Sequence, residues 1–265
     1  MIYRVIALPE ALRRAALCAW QFLLEPGDPG SLQHQVPPDG TTNLALIRAD
    51  DGNLYPRLIG PALAAFTVPV TAGWHYTGLR LRPEMARAVT GAAPRTGRMD
   101  LLDAEGQLAP LWRDLLRLMD EGACDWTETI GCFGMTGPAD HVVGDAVDLL
   151  IDSGGIIPVA RLAAMSGLGE RQFRRRFHAA TGIPPKQFAD VQRVRRALVL
   201  GLDDPDWAGI AHESGFADQP HLARDIKGRF GAAPIRVAGY LGGIRHELLA
   251  ADHVRNVQSS PPRAA

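Results

Sequence analysis

The sequence predicts an α+β protein, with a β-rich first half built as a small barrel or sandwich and an all-helical second half. Short apolar segments separated by turn signals fill the first 82 residues, and helical periodicity begins near Asp140. Two similar helix-turn-helix patterns then occur at residues 167–182 and 215–234. These three observations determine the predicted fold class.

Length and composition restrict the class of protein. A chain of 265 residues, 46% hydrophobic, has enough apolar residues for one large domain or two ordinary ones. No apolar run reaches the ~18 residues of a membrane span, and the N-terminus lacks a secretory leader, so we expect a cytoplasmic protein without a membrane partner. The cysteines Cys18, Cys124 and Cys132 are few and widely spaced, which is typical of a reducing compartment.

The first half contains three clear strand candidates, at residues 43–47, 65–70 and 77–82. Turn signals occur at 37–40 and 50–52. In the third candidate Thr77, Leu79 and Leu81 alternate with Gly78 and arginines, which is the period of a strand. Segment 9–24 fits either a helix or a strand.

Two helices are predicted to close this half. Pro83 and Gly91 mark the start and end of the first. The second, over 107–121, has an apolar stripe that packs against its own barrel or forms a dimer contact. Residues 122–139 contain four glycines and are predicted to be a linker. The predicted domains are thus 1–121 (β-rich, for effector binding or dimerisation) and 140–245 (helical), followed by a flexible tail over 246–265.

The helical half divides into two units joined by one helix. Unit one spans 158–181, the linking helix 186–200, and unit two 206–230. In unit one, Phe173 and Phe177 are four residues apart and therefore share an inward face. In unit two, Leu222, Ile226 and Phe230 repeat that spacing, and Asp206 and Asp218 are predicted helix caps.

The opposite faces of the two recognition helices carry the candidate DNA-binding side chains. In unit one these are Arg171, Gln172, Arg174 and Arg175, with Arg176 nearer the buried side. In unit two they are Gln219, His221, Arg224 and Lys227, with Arg229 as a further candidate. Such side chains at a helix surface suit phosphates and base edges in the major groove.

Local charge and spacing support double-stranded DNA as the partner. The whole chain has a net charge of −1, but residues 161–196 contain nine basic and two acidic residues, a local charge of +7. A linking helix of about 15 residues and one helix diameter place the recognition helices roughly 32 Å apart. One turn of B-DNA is about 34 Å, so a single chain is predicted to reach two successive major-groove segments.

Residues 140–241 resemble the AraC/XylS family of bacterial transcription regulators. The matching motifs are the first recognition helix, TGIPPKQF, RVRRA at 193–197, IAHESGF at 210–216, DQPHLARDIKGRFGAAP at 218–234, and Tyr240. The resemblance implies seven helices and DNA contacts at Arg171, Gln172, Arg174 and Arg175 in unit one, and at Gln219, Pro220, His221 and Arg224 in unit two. Pro220 lacks a side-chain donor and Asp225 is negatively charged, so we expect unit one to discriminate sequence and unit two mainly to position.

The first half is similar to an uncharacterised N-terminal domain that often precedes this DNA-binding pair. The shared segments are CAWQF at 18–22, VPPDGTTNLAL at 36–46 and GLRLRPEMARAVTG at 78–91. This similarity implies a cupin-like effector or dimerisation domain.

The sequence contains few signals for a ligand pocket, a metal site or a catalytic site. Trp74, His75 and Tyr76 either line an effector pocket or fill the core. His34 and His75 alone supply too few ligands for a metal, and no phosphate loop or nucleophile motif is present. Cys124 and Cys132 have no adjacent basic residue that would activate a thiol. We therefore expect no enzymatic activity, metal or cofactor.

The sequence thus predicts a sequence-specific transcription regulator that responds to an unknown small molecule through its first half. RNA polymerase and a second copy of the chain are further expected partners, and activation and repression both remain open. Two alternatives are an effector-independent dimeric DNA-binding factor and a metal-binding or enzymatic barrel fused to DNA-binding helices.

Overall fold

A computed structural model describes residues 2–24, 28–91, 94–97, 99–134 and 140–243. The predicted flexible tail at 246–265 lies outside these ranges. No helix among the described residues is both long and apolar enough to cross a bilayer.

The first half is an antiparallel β domain with eight strands among its described residues. They are β1 (Ile2–Ile6), β2 (Ala16–Leu23), β3 (Ser31–Val36), β4 (Asn43–Arg48), β5 (Leu54–Ile59), β6 (Phe66–Thr71), β7 (His75–Leu81) and β8 (Met99–Leu101). Six of them form one sheet in the order β1-β2-β7-β4-β5-β8, and β3 and β6 form a second sheet. The three predicted strands are confirmed as β4, β6 and β7.

Alternation along the strands gives the large sheet two buried faces. On one face Leu44, Leu46, Leu79 and Leu81 pack against helices of the same domain. On the other face Phe22 and Tyr76 pack together with Val70 of the small sheet. The β domain is therefore a layered structure with a helix-covered side and a sheet-covered side.

The described part of the β domain contains four α-helices, α1 (Glu10–Arg13), α2 (Ala86–Thr90), α3 (Ala109–Glu121) and α4 (Thr127–Gly134), and a 3₁₀ helix (Pro83–Met85) that leads into α2. Segment 9–24 contains both predicted alternatives, since α1 is followed directly by β2. The stripe of α3 is buried in its own domain, where Leu111, Leu115 and Leu118 are fully enclosed. That burial excludes the stripe as a dimer contact.

The predicted linker over 122–139 is wrong in its central part. Helix α4 lies there, and Trp126 and Phe133 are buried in the same core as α3. The Asp114 carboxylate fixes the start of α4, since it accepts hydrogen bonds from the amide (2.8 Å) and hydroxyl (2.7 Å) of Thr129. Burial of two large aromatic side chains outweighs the glycine-rich composition that suggested a linker.

Residues 140–243 contain seven helices: α5 (His141–Asp152), α6 (Val159–Met165), α7 (Glu170–Thr181), α8 (Pro185–Asp203), α9 (Trp207–Glu213), α10 (Gln219–Phe230) and α11 (Pro234–Gly242). Two cores form around α8. Phe188 and Ala189 pack with α5, α6 and α7, whereas Val194, Ala197 and Leu198 pack with α9, α10 and α11. The predicted arrangement of two units joined by a long helix is confirmed.

Candidate nucleic-acid interface and inner cavity

Unit one presents α7 as an exposed helix on a fixed base. Gly167, in the turn between α6 and α7, has a φ of +66°, which a residue with a side chain rarely adopts. Phe173 and Phe177 are fully buried, and the Phe177 ring lies 6.0 Å from the Phe188 ring on α8. The inward face predicted from the sequence therefore anchors α7 to the linking helix.

The outward face of α7 carries side chains that are open to a partner. Arg171, Gln172 and Arg175 are exposed, and none of them forms a hydrogen bond or ion pair with another described residue. Five donors on each guanidinium can therefore contact phosphates or guanine edges without first breaking an internal bond.

The two remaining arginines of α7 have carboxylate partners. Arg174 Nε donates to Glu170 Oε1 at 2.9 Å, one helical turn away. Arg176 Nε donates to Asp140 Oδ2 at 2.6 Å, which ties α7 to the start of α5. Exposed pairs of this kind contribute at most about 1 kcal/mol. Arg174 can thus exchange Glu170 for a phosphate, whereas Arg176 has a structural contact between helices.

Unit two repeats this plan with side-chain caps. Asp206 accepts from the Gly209 amide at 3.2 Å, and Asp218 accepts from the His221 amide at 2.7 Å, which confirms both predicted caps. Gly215 makes the turn with a φ of +74°. Leu222, Ile226 and Phe230 are buried in the core that α8 shares with α10.

The outward face of α10 is less cationic than that of α7. Gln219 and Lys227 are exposed without a side-chain partner among the described residues. Arg224 Nε donates to the Pro220 carbonyl at 3.2 Å, and His221 is half-buried with its ring edge-on to Phe216 at 5.3 Å.

Arg229 does not face outward, so its inclusion as a candidate DNA contact is wrong. Its Nε donates to Asp225 Oδ1 at 3.0 Å, and its Nη1 donates to the Leu63 carbonyl of the β domain at 2.7 Å. The Arg229 carbonyl also accepts from the Ala65 amide at 2.8 Å. Its position in the last turn of α10 places it against the loop between β5 and β6.

The linking helix α8 makes a second set of contacts with the β domain. It has 19 residues, about 28 Å at the usual rise, and is longer than predicted. Gln192 Nε2 donates to the Asp39 carbonyl at 3.1 Å, and Arg195 Nη1 donates to the Pro38 carbonyl at 3.3 Å. Sequence reasoning missed these two residues. The available signal was that both share the inward helix face of Phe188, where a polar side chain needs a buried partner.

A cavity of about 300 Å³ lies between the two sheets of the β domain. Its wall is mostly aromatic and aliphatic, with a few charged groups at one end. The residues that line it include Tyr3, Trp20, Phe22, His34, Asp39, Asn43, Ala45, Arg57, Phe66, Trp74, Tyr76 and Arg80. Cavities of this size bind small organic ligands.

The predicted aromatic cluster is only partly in this cavity. Trp74 and Tyr76 line it, and their rings are 6.5 Å apart. His75 is not among the residues that line the cavity, because neighbouring residues of a strand point to opposite faces. His75 Nδ1 instead lies 3.3 Å from Arg48 Nη2, and burial together with the Arg48 charge lowers the His75 pKa.

The charged end of the cavity adjoins the loop that α8 contacts. Arg80 Nε lies 3.1 Å from Asp39 Oδ2, and both side chains are buried. The Asp39 carboxylate also accepts from the Thr41 amide at 2.8 Å. Asp39 thus lines the cavity and also accepts a hydrogen bond from Gln192 of α8 with its backbone carbonyl.

The cysteines lie in environments that do not favour a thiolate. Burial raises the pKa of Cys124 to about 11 and also raises the pKa of Cys132. Cys18 is fully buried, and burial raises its pKa too. Nucleophilic thiols in proteins show the opposite shift.

Comparison with known proteins gives one family match. The sequence of residues 162–238 matches the family model of a helix-turn-helix domain. No curated protein sequence matches the chain.

Solved structures with a similar backbone include ToxT from Vibrio cholerae O395, at 10% identity over 91% of this chain and 98% of that chain, with a TM-score of 0.44. They also include ToxT bound to an unsaturated fatty acid, at 11% identity over 91% and 96% with a TM-score of 0.43. The DNA-binding domain of the transcription factor AdpA, in complex with target DNA, is 28% identical over 40% of this chain and 93% of that chain, with a TM-score of 0.32.

The match to the family model begins within α6 and ends within α11, so it contains both turns, both recognition helices and the whole of α8. Residues 162–238 of this chain are an AraC-type helix-turn-helix domain.

Proposed function

We propose that this DNA-binding transcription regulator recognises a specific operator with α7 and α10 in two successive major-groove segments, and that a small molecule in the β-domain cavity controls it. In this assignment residues 140–245 bind DNA and the β domain senses the effector. Contacts with RNA polymerase and with a second copy of the chain are further expectations of such a regulator.

One observation carries the DNA-binding proposal: Arg171, Gln172 and Arg175 form an exposed face that bonds to no other described residue, on a helix whose other face is fully buried. A guanidinium that pairs with both O6 and N7 of guanine discriminates against other bases by about 1–3 kcal/mol. The neighbouring Glu170–Arg174 pair is solvent-exposed and is readily replaced by a phosphate contact.

We assign most sequence discrimination to α7 and mainly positioning to α10. The second residue of α10 is Pro220, whose side chain has no hydrogen-bonding group. Asp225 is already paired with Arg229, and Arg224 with a backbone carbonyl. Gln219, Arg224 and Lys227 are the exposed polar side chains of α10 that can contact the duplex, because Arg224 uses only its Nε for the Pro220 carbonyl.

Selection of bound fragments from random DNA tests this function. We expect the full chain to enrich a motif with two elements whose centres are about one helical turn, roughly 10 base pairs, apart. The element read by α7 should be the more strongly constrained one. Recovery of DNA without an enriched motif would argue for non-specific binding. Recovery of a motif with only one element would show that α10 does not contribute to sequence recognition.

The effector proposal depends on the size and position of the cavity. About 300 Å³ is enough for a small metabolite, and Asp39 connects the cavity wall to α8 through the Gln192 bond. A ligand that changes the β3–β4 loop therefore acts on the helix that carries both DNA-binding units. A regulator that works without an effector would not be stabilised by any small molecule, since a ligand that binds only the folded state raises the melting temperature.

A further inference from the structure

Four residues lie side by side across the large sheet beneath the cavity, and three of them, Trp20, Ala45 and Arg57, line it. Trp20 on β2 faces Gly78 on β7, Gly78 faces Ala45 on β4, and Ala45 faces Arg57 on β5. The Trp20 indole covers Gly78, since a Cβ atom at Gly78 would lie 2.5 Å from Trp20 Cζ2. The small side chain of Ala45 therefore leaves a depression between an indole and a guanidinium.

The wall around this depression is made of aromatic faces. The Tyr3 and Trp20 rings are stacked with centroids 6.3 Å apart, and the Phe22 ring stacks on the His34 ring at 4.7 Å. Phe66 of the small sheet lines the cavity as well. Offset and edge contacts with such rings favour a flat aromatic ligand over an aliphatic one of similar volume.

The polar groups of the wall largely form hydrogen bonds within the protein. The Tyr76 hydroxyl accepts from the Thr71 amide at 3.0 Å, and Asn43 Nδ2 donates to Asp39 Oδ2 at 3.3 Å. A ligand with many hydroxyl groups would therefore find few available partners, and burial of its unpaired hydroxyls would weaken binding.

The charged groups leave one positive charge to be neutralised. Asp39 balances Arg80, whereas Arg57 pairs with no carboxylate within the described part of the chain. Arg57 Nη1 donates to the Pro56 carbonyl at 3.3 Å, and its guanidinium lies 5.5 Å from the centroid of the Tyr55 ring. Arg80 approaches the same space from the other side of β4, about two strand spacings away, roughly 10 Å. A single carboxylate on the ligand is therefore sufficient to complete the charge balance.

We infer that the cavity binds a flat aromatic monocarboxylate, with its ring over Ala45 between Trp20 and the small sheet, and its carboxylate on Arg57. This inference rests on the proposed function of the cavity as an effector site and specifies the chemistry of the effector.

Indole-3-acetate and indole-3-acetamide provide a matched pair of probes, because they share a ring and differ in charge. In calorimetric titration of the full chain we expect the acid to bind at least ten times more tightly than the amide. Arg57→Gln should remove most of that difference, whereas Arg14→Gln, an exposed arginine outside the cavity, should preserve it. Decanoate should bind at least ten times more weakly than indole-3-acetate.

A second variant locates the binding site. Ala45→Leu should fill the depression and weaken binding of both probes, while circular dichroism confirms that the variant is folded. Equal affinity for acid and amide, decanoate binding as tight as that of the acid, unchanged binding by Ala45→Leu, or no binding of the acid would each overturn the inference. DNA binding is measured on the same preparation: if it persists when no probe binds, the ligand class is wrong and the DNA-binding function stands.

Discussion

The Tyr240 hydroxyl, on the last described helix, lies 2.9 Å from His34 Nδ1 in the small sheet of the β domain. The same hydroxyl accepts from the Gln35 amide at 2.8 Å, so one side chain of α11 contacts two consecutive residues of β3. Because His34 also lines the cavity and stacks on Phe22, one side chain contacts both the ligand space and α11.

Tyr240→Phe should destabilise the protein by about 1–3 kcal/mol, because it leaves the partly buried Gln35 amide without its acceptor. The free energy of unfolding in urea measures this effect. Tyr55→Phe is the matched control, since the Tyr55 hydroxyl bonds to no described residue and its loss should cost little. Equal losses in both variants would show that the contact contributes nothing.

Arg175→Ala should weaken binding to the selected operator by about 1–3 kcal/mol, since this guanidinium pairs with no described residue and faces the duplex in the proposed complex. Arg176→Ala removes the same charge from the same helix at a site where Asp140 already occupies the guanidinium, and should cost less than about 0.5 kcal/mol. Fluorescence anisotropy with operator and random duplexes measures both. An equal loss on both duplexes would assign Arg175 to phosphate contact.

Operator affinity should fall steeply as salt increases, because the cations of α7 displace counterions from phosphates. Each neutralised phosphate contributes about 0.9 to the log-log slope, so Arg171, Arg174 and Arg175 together give a slope of roughly −2.7 if all three contact phosphates. Titrations between low and moderate salt measure the slope. A flat response would contradict a phosphate-bound interface.

Cys124 should react slowly with iodoacetamide near pH 8, because burial raises its pKa to about 11 and keeps the thiol protonated. Its alkylation rate should increase roughly tenfold per pH unit up to that value. Mass spectrometry of the wild type and of Cys124→Ser assigns the rate to this residue. Rapid alkylation at pH 8 would restore a redox-sensing role for the thiol.

The sequence predicted the helical half accurately because its signals are local. Asp206 and Asp218 cap their helices through hydrogen bonds to amides only three residues further along the chain. Phe173 and Phe177 share a face because of the helical repeat itself. The alternation at Thr77, Leu79 and Leu81 likewise identified the central strand β7.

The errors arose where distant contacts decide the structure. Trp126 and Phe133 are buried in the β-domain core and hold a glycine-rich segment against it. No local sequence pattern in this segment predicts that burial. Arg229 was placed on the DNA face by helical spacing, but the Leu63 carbonyl, 166 residues away in sequence, binds its guanidinium.

The cavity was predicted only in part. The sequence identified Trp74 and Tyr76, but adjacency in sequence also suggested His75, which strand geometry places on the opposite face. Arg57, Arg80 and Asp39 come from three separate segments, so only the fold reveals that they share one space.

The hydrogen bonds from Gln192 and Arg195 to the carbonyls of Asp39 and Pro38 have a consequence for any effector of this protein. Thermodynamic linkage is reciprocal: if an effector changes operator affinity by some factor, the operator must change effector affinity by that same factor. Titration with effector in the presence and absence of duplex therefore reports on the coupling between the two sites without any assay of transcription.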